Sequence, residues 1–259
     1  MENLRVTLVQ SFLHWEDKSA NLRQFDQKLA SLAGQTDLII LPEMFSTGFS
    51  MNATALAEDM QGRTMQWLRD KAAILESGIT GSFIAEENGH YYNRLVWMHP
   101  DGTYSTYDKR HLFTYADEHQ HYTPGQQPLL VELKGWRILP LICYDLRFPV
   151  WSRNVQNYDL LLYVANFPER RSHAWKSLLT ARAIENLAYT IGVNRVGNDG
   201  NEISHSGDSM LIDYAGQTLY QISHLEDIFT ATLSYQALQE FRQRFAFLQD
   251  RDHFTISNP

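Results

Sequence analysis

Hydrophobic and polar positions follow two different periods along this chain. Short apolar or alternating stretches are separated by longer stretches in which apolar residues recur three and four positions apart. The first pattern is typical of β-strands and the second of amphipathic helices. The first pattern predicts strands over residues 4–10, 37–41, 79–85, 91–98, 103–107, 137–143, 159–165, 189–194, 208–213 and 228–233. Helices are predicted over residues 20–33, 64–75, 174–186 and 235–244, with one more directly after Cys143.

Turn residues separate these elements at the expected places. Gly34 can end the first helix, and His99-Pro-Asp-Gly102 is a strong hairpin signal between two strands. There are no repeats and no linker long enough to divide the chain, so we expect one α/β domain over residues 1–245. The tail, residues 246–259, is polar and aromatic, and we interpret it as a C-terminal docking arm.

Charge and cysteine usage exclude several kinds of partner. The formal net charge is −8, which argues against nucleic acid because phosphate binding needs a basic face. A single cysteine cannot form an internal disulfide, and the N-terminal residues lack the pattern of a secretory signal. No apolar run approaches the ~20 residues that a membrane span needs. We therefore expect a cytoplasmic protein that does not bind a membrane.

Three predicted strands end in a chemically reactive side chain: Glu43, Lys109 and Cys143. Strand ends are where ligands meet an α/β sheet, so these three side chains could converge on one pocket. Polar residues follow Cys143 at once, as at a strand-to-helix elbow that presents a nucleophile. The start of such a helix would favour the thiolate and an adjacent oxyanion.

Each of these three residues also has a purely structural interpretation. A lone cysteine is more often a small buried hydrophobic residue than a nucleophile. Glu43 could be a solvated surface carboxylate, although the apolar residues on both sides favour partial burial, which suits a general base. A loop lysine such as Lys109 is usually solvated, but its place between a strand and an apolar pair makes an interior cation plausible.

The ten histidines do not form a metal signature. Only His119 and His121 lie close together, with His111 eight residues before the first of them, and none of the spacings matches a zinc site. We expect a solvated loop here and neither a metal nor a cofactor.

Several longer motifs follow one another along the chain. They are LPEMF at 41–45, YDKRHLF at 107–113, DEHQHYTPG at 117–125, CYDLRFP at 143–149, ANFPERRSHAWKSLLTARAIENLAYTIGVNRVG at 165–197 and GDSMLID at 207–213. In this order they resemble the carbon-nitrogen hydrolases of the nitrilase superfamily. The resemblance covers nearly the whole chain, from Leu4 to Leu233. The CYDLRFP, ANFP and RAIEN wording and the absence of long insertions resemble the omega-amidase branch most closely.

The resemblance implies a four-layer αββα sandwich and a cysteine-dependent amidase. It implies that Cys143 is the nucleophile, Glu43 the general base and acid, and Lys109 the cation on the oxyanion. Glu118 would orient the lysine or the base, and the backbone N–H of Tyr144 would complete the oxyanion hole. It further implies a homodimer in which the C-terminal arms cross over. Val150 departs from relatives that carry an acidic residue there.

The substrate implied is the terminal amide of a small 2-oxo dicarboxylic acid, such as 2-oxoglutaramate or 2-oxosuccinamate, hydrolysed through a thioester. A distal carboxylate needs a cation, and the candidates are Arg147, Arg170, Arg171 and Arg195. An apolar pocket wall could come from three aromatic residues, Phe45, Phe83 and Phe167. Deaminated glutathione, a carbamoyl amide or a nitrile are alternative substrates for the same catalytic set. A binding protein without catalysis on the same fold is the alternative of another class.

Overall fold

The computed structural model describes residues 1–256. The strands are β1 (Leu4–Gln10), β2 (Leu38–Ile40), β3 (Gly78–Glu87), β4 (His90–Met98), β5 (Tyr104–Asp108), β6 (Val131–Leu133), β7 (Trp136–Ile142), β8 (Leu160–Ala165), β9 (Tyr189–Asn194), β10 (Val196–Asn198), β11 (Ser204–Ile212), β12 (Thr218–Ser223) and β13 (Asp227–Leu233). The α-helices are α1 (Lys18–Leu29), α2 (Ala53–Leu56), α3 (Arg63–Leu75), α4 (Glu118–His121), α5 (Pro149–Ser152), α6 (Ser172–Asn186) and α7 (Tyr235–Arg244).

These strands form two mixed sheets. The first has the order β13-β1-β2-β3-β4-β5, and the second has the order β10-β11-β9-β8-β7-β6 with β12 paired to β11. In each sheet three neighbouring strands run parallel, β1-β2-β3 in the first and β7-β8-β9 in the second. The carboxyl ends of parallel strands share one edge of a sheet, which is where polar site residues gather in α/β folds.

The two sheets pack on each other and the long helices cover their outer faces. Strands β1 and β4 of the first sheet approach β9 and β7 of the second, around one shared hydrophobic core. Helices α1 and α3 pack on the first sheet through a second core that includes Phe25 and Trp67. Helix α6 packs on the second sheet through Trp175 and Leu179. The result is the expected layer order of helix, sheet, sheet and helix in one domain.

Most predicted elements are present, and three have the predicted bounds, namely β1, β9 and α7. The first helix was expected over residues 20–33 but begins at Lys18, because the Asp17 carboxylate accepts a hydrogen bond from the Ala20 N–H and caps it. It ends at Leu29, and Gly34 instead takes a positive φ of 69° in the turn that follows. Strands β6, β10 and β12 were not predicted.

The helix expected after Cys143 is shorter than the pattern indicated. A five-residue 3-10 helix spans Cys143–Arg147, and the four-residue α5 follows it. Pro149 is the first residue of α5, where its fixed φ and missing N–H are tolerated. Val150 lies on α5 and is more than half exposed.

The tail follows α7 across the surface. A 3-10 turn covers Phe247–Asp250, and the Arg251 guanidinium donates to the Asn154 carbonyl and the Asn157 side chain. Residues 257–259 of the predicted arm lie outside the described residues, and docking of the arm onto a second subunit stays a prediction. Within residues 1–256, no helix is long and apolar enough to cross a membrane.

Candidate active site

The three reactive strand ends meet at one place. Glu43 follows β2 and Lys109 follows β5 in the first sheet, while Cys143 comes directly after β7 in the second. The Lys109 Nζ atom lies 2.8 Å from Glu43 Oε1, and the Glu43 carboxylate is close enough to Cys143 to raise the pKa of its thiol. The two sheets thus each supply part of one cluster.

A second carboxylate completes this cluster. Glu118, at the start of α4, is fully buried and lies 3.0 Å from Lys109 Nζ through Oε2 and 3.1 Å through Oε1. Its Oε2 atom also accepts a hydrogen bond from the Phe113 N–H. The ammonium therefore lies between two buried carboxylates, which restricts where the lysine side chain can point.

Two asparagines hold these carboxylates in place. The Asn93 Nδ2 atom donates to Glu43 Oε1 at 2.8 Å and to Glu118 Oε1 at 3.1 Å, and its Oδ1 accepts from the Ser82 hydroxyl. The Asn166 backbone N–H donates to Glu43 Oε2 at 2.8 Å, while its side chain donates to the Glu43 carbonyl. Both oxygens of Glu43 are thus fixed by donors from both sheets.

The sequence analysis did not identify either asparagine. Asn93 lies inside β4, so its partner 50 residues earlier cannot be found from periodicity. Asn166 directly follows the apolar strand β8, and this resembles the placement that singled out Cys143. A polar residue at the end of a buried strand could therefore have identified Asn166, whereas no such signal marks Asn93.

The cluster is nearly sealed from water, and this sets its protonation. Burial alone would lower the pKa of Lys109, but the carboxylates of Glu118 and Glu43 outweigh burial and raise it far above its ordinary value. Burial, with Glu43 close by, raises the pKa of Glu118 despite the attraction of Lys109. The lysine is therefore a permanent ammonium at neutral pH.

The thiol differs from the expected thiolate. Burial raises the pKa of Cys143 well above its ordinary value, and the nearby Glu43 charge raises it further, while Lys109 lowers it. The 3-10 turn that begins at the cysteine is too short to reverse this. The resting sulfur is thus a neutral thiol with the Glu43 carboxylate nearby, an arrangement that suits removal of the proton by a base during attack.

The backbone at Cys143 has an unusual conformation. Its φ of 42° lies in the left-handed region that non-glycine residues rarely adopt. This turn lifts the sulfur from the end of β7 toward a cavity, although the residue is 9% exposed and also packs in the shared core. Tyr144 is the second residue of the 3-10 turn, where an N–H has no partner within the helix.

A cavity of about 540 Å³ opens above Cys143 and Lys109. Its aromatic wall is formed by Trp15, Phe49, Phe113, Tyr115, Tyr144 and Phe167. Of the three aromatic residues predicted to line a pocket, only Phe167 does so. Phe45 and Phe83 lie in the core beneath α1 and α3, where Phe45 packs 5.8 Å from both Phe25 and Trp67. Phe45 follows a strand and Phe83 lies within one, and the sequence did not show toward which face of the sheet their side chains point.

Three of the four predicted arginines line this cavity: Arg147, Arg170 and Arg171. No carboxylate of residues 1–256 forms an ion pair with any of them. Arg171 is the least exposed of the three, and its guanidinium lies 4.9 Å from the Phe113 ring centre. Burial and the neighbouring Arg170 lower the pKa of Arg171, so an anion bound here would relieve like-charge repulsion.

The fourth arginine has a different environment. Arg195 is fully buried behind the cavity wall, and its Nη2 atom donates to the Asn198 carbonyl at 2.8 Å. It is not among the residues that line the cavity. His119 and His121 are exposed on α4, and the described residues contain no group of three His, Cys, Asp or Glu that could hold a metal ion.

Comparisons with known proteins agree with this geometry. The family model for carbon-nitrogen hydrolase matches residues 5–243. Omega-amidase YafV from Escherichia coli (strain K12) is 49% identical over 259 residues, covering 99% of this chain and 100% of the relative. The 2-oxoglutaramate amidase of Bacillus subtilis (strain 168) is 31% identical over 253 residues, covering 95% of this chain and 96% of that protein.

A solved structure is also closely similar. XC1258 from Xanthomonas campestris, described as a CN-hydrolase superfamily protein with an arsenic adduct in its active site, is 48% identical. Its TM-score is 0.98, over 99% of this chain and 100% of that one. The chain therefore belongs to the carbon-nitrogen hydrolases of the nitrilase superfamily, in their omega-amidase branch, and is an amide-hydrolysing enzyme.

Proposed function

We propose that this enzyme hydrolyses the terminal amide of a small 2-oxo dicarboxylic acid, such as 2-oxoglutaramate, to the acid and ammonia. The observation that carries the proposal is the cavity itself. A thiol, a carboxylate and an ammonium meet at its base, and its wall includes three arginines that form no ion pair with a carboxylate of residues 1–256. Such a cavity suits a substrate with an amide at one end and a carboxylate at the other.

The first half of the reaction forms a thioester. Glu43 removes the proton of Cys143 as the sulfur attacks the amide carbon, so that the charged sulfur exists only during bond formation. The oxyanion that develops is stabilised by the Lys109 ammonium and the Tyr144 N–H. Glu43 then gives its proton to the nitrogen, the C–N bond breaks, and ammonia leaves.

The second half reverses the roles. Water attacks the thioester while Glu43 takes its proton, and the same two donors stabilise the new oxyanion. The sulfur leaves, regains a proton from Glu43, and the carboxylic acid departs. Glu118 also pairs with Lys109, so the ammonium keeps one carboxylate partner in place while the charge on Glu43 changes.

The distal carboxylate is assigned to the arginine wall, with Arg171 as its main contact. Arg171 is the most buried of the three, and its planar guanidinium can bind a carboxylate through two parallel hydrogen bonds. Phe113 and Phe167 lie beneath the guanidinium and hold its plane. Arg147 and Arg170 add positive charge nearby.

An ammonia-release assay tests this function. Purified enzyme supplied with 2-oxoglutaramate should release ammonia, and the Cys143→Ala variant should release none. Arg171→Met should raise KM for 2-oxoglutaramate about tenfold or more, with little effect on a monoamide that lacks the carboxylate. Turnover of deaminated glutathione, a carbamoyl amide or a nitrile, but not of 2-oxoglutaramate, would refute the proposed substrate.

We also propose a cytoplasmic homodimer in which the arm from residue 246 contacts the second subunit. The exposed apolar side chains of Val150, Phe247 and Phe254 support an interface near α5. Sedimentation of the full chain and of a chain that ends at residue 245 would test this, because only the full chain should sediment as a dimer.

A further inference from the structure

A third buried carboxylate, that of Asp145, lies next to the catalytic cluster and does not line the cavity. Asp145 is fully buried within the 3-10 turn that begins at Cys143. Its Oδ2 atom accepts hydrogen bonds from the Tyr107 hydroxyl at 2.7 Å and the Ile142 N–H at 3.1 Å. Its Oδ1 atom accepts from the His111 N–H at 3.0 Å and lies 2.8 Å from His111 Nδ1.

These partners flank two of the catalytic residues. Tyr107 and His111 lie two positions before and two positions after Lys109, and Ile142 immediately precedes Cys143. The first two belong to the first sheet and its following loop, whereas Ile142 ends β7 of the second sheet. One carboxylate therefore connects the backbone around the lysine to the backbone around the nucleophile.

Neighbouring aromatic contacts strengthen this connection. The His111 ring stacks on Phe148 with 3.7 Å between ring centres and 4° between planes. The Tyr107 hydroxyl accepts hydrogen bonds from the Trp151 Nε1–H at 3.0 Å and from the Arg110 N–H at 3.2 Å. Burial and the adjacent Asp145 raise the pKa of Tyr107 well above its ordinary value, so the hydroxyl remains a donor.

The nucleophile needs such support because its backbone is strained. A positive φ at a non-glycine residue costs of order 1–3 kcal/mol and persists only where the surroundings fix it. Asp145 accepts the N–H of the residue before Cys143 and thus holds the start of that turn. A misplacement of about 1 Å between reacting groups can lower turnover ~10²-fold.

We propose that Asp145 is a positioning residue that fixes the distance between the Cys143 thiol and the Lys109 ammonium without touching the substrate. The proposal rests on the proposed amide hydrolysis, since that reaction needs both groups on one carbonyl. Each oxygen of Asp145 accepts one backbone N–H, so the NH₂ group of an asparagine at position 145 would face a donor in either orientation and at least one of the four hydrogen bonds would be lost.

Three variants test this role. Asp145→Asn should lower kcat about 10²-fold and leave KM within about twofold, because the cavity wall is unchanged. Tyr107→Phe removes one hydrogen bond to Asp145 and should lower kcat about tenfold while the protein still folds. If both substitutions act through the hydrogen bond between Tyr107 and Asp145, the kcat of the double variant should be little lower than that of Asp145→Asn alone.

A matched control separates positioning from general stability. Asp159 is also buried, joins separate segments by accepting from the Arg137 N–H and the Arg242 guanidinium, and lies at the opposite end of β8 from the site. Asp159→Asn should lower the melting temperature with kcat unchanged. An equal fall of kcat in both aspartate variants, or unchanged kcat in Asp145→Asn and Tyr107→Phe, would overturn the proposal.

A second readout does not depend on the substrate. Cys143 is the only cysteine, so its alkylation by iodoacetamide can be followed by mass. Since Lys109 lowers the pKa of the thiol, displacement of the lysine in Asp145→Asn should slow alkylation at pH 7, while Asp159→Asn should match the unmodified enzyme. An enzyme that releases no ammonia from any amide would refute the proposed function, whereas unchanged alkylation in Asp145→Asn would refute the positioning role.

Discussion

Replacement of Glu118 by glutamine should lower turnover with little change in the free energy of unfolding. The glutamine side chain keeps the size of Glu118 but loses its charge. In the unmodified enzyme, every hydrogen-bond partner of the two Glu118 oxygens is a donor, namely Lys109, Asn93 and Phe113. The new NH₂ group would therefore face another donor. Lys109 would turn toward Glu43, its remaining carboxylate partner, and would be less available to an oxyanion.

The energies can be estimated from the distances. At an effective dielectric constant of about 20, an ammonium and a carboxylate 3.0 Å apart attract by about 5 kcal/mol. Glu43 and Glu118 share the Asn93 Nδ2 donor, so their oxygens lie roughly 5 Å apart and repel by about 3 kcal/mol. Burial of the Glu118 charge costs several kcal/mol more, and the attraction is largely cancelled.

The raised pKa of Glu118 agrees with that balance. Because its pKa is higher in the folded state, ionisation of Glu118 opposes folding as the pH rises, and the neutral amide lacks this cost. We expect Glu118→Gln to change the free energy of unfolding by no more than about 2 kcal/mol. We expect kcat to fall about 10-fold to 100-fold, less than for complete loss of an oxyanion donor.

The assay combines urea denaturation with ammonia release at pH 7.5. The matched control is Glu58→Gln, which removes a half-buried carboxylate that pairs with Lys18 at 3.1 Å and accepts from Thr64, outside the catalytic cluster. The control should lose stability and keep its kcat. If Glu118→Gln unfolded far more easily than the control, or kept full turnover, the reasoning about charge balance would be wrong.

Three further measurements test the surroundings of the site. In Glu43→Gln, amide turnover should fall at least ~10²-fold, because the proposed general base is lost. Alkylation of Cys143 at pH 7 should become faster, because the Glu43 charge raises the thiol pKa; slower alkylation would argue against this. Burial lowers the pKa of His205 to about 4 from the ordinary 6.5, so the unfolded chain binds more protons between these values and stability falls as the pH drops. In His205→Asn, the loss of unfolding free energy between pH 7 and pH 5 should therefore shrink by about 2 kcal/mol, as measured by urea titration. Gly192→Ala would place a Cβ 2.5 Å from Leu179 Cδ1 and should lower the melting temperature by several degrees, and an unchanged melting temperature would show that the helix can move.

The strongly periodic elements could be predicted from sequence because their patterns coincide with their burial. Strands β1 and β9 are almost continuously buried and helix α7 has a clear cap at Ser234, so their bounds were correct. The three missed strands lie toward the sheet edges and are mostly short, and β12 is exposed or half-exposed throughout. Without burial on one face, no period marks them.

The reactive side chains were identified for a similar reason, and their supporting residues were not. Glu43, Lys109 and Cys143 each lie at the end of a predicted strand, which is visible in the sequence. Asn93 and Asp145 act through partners that come from distant parts of the chain. Phe45 was assigned to the wrong face because the direction of a side chain after a strand depends on the helices packed against it.

The division of the cluster between the sheets has a consequence for how the enzyme gains and loses its activity. Glu43 and Lys109, the proposed base and cation, come from one half of the sandwich. Cys143, the proposed nucleophile, comes from the other, so neither half alone holds all three groups. Hydrolysis can begin only when the halves have closed on each other, and catalytic turnover during refolding would therefore mark the last large assembly event rather than the growth of either sheet.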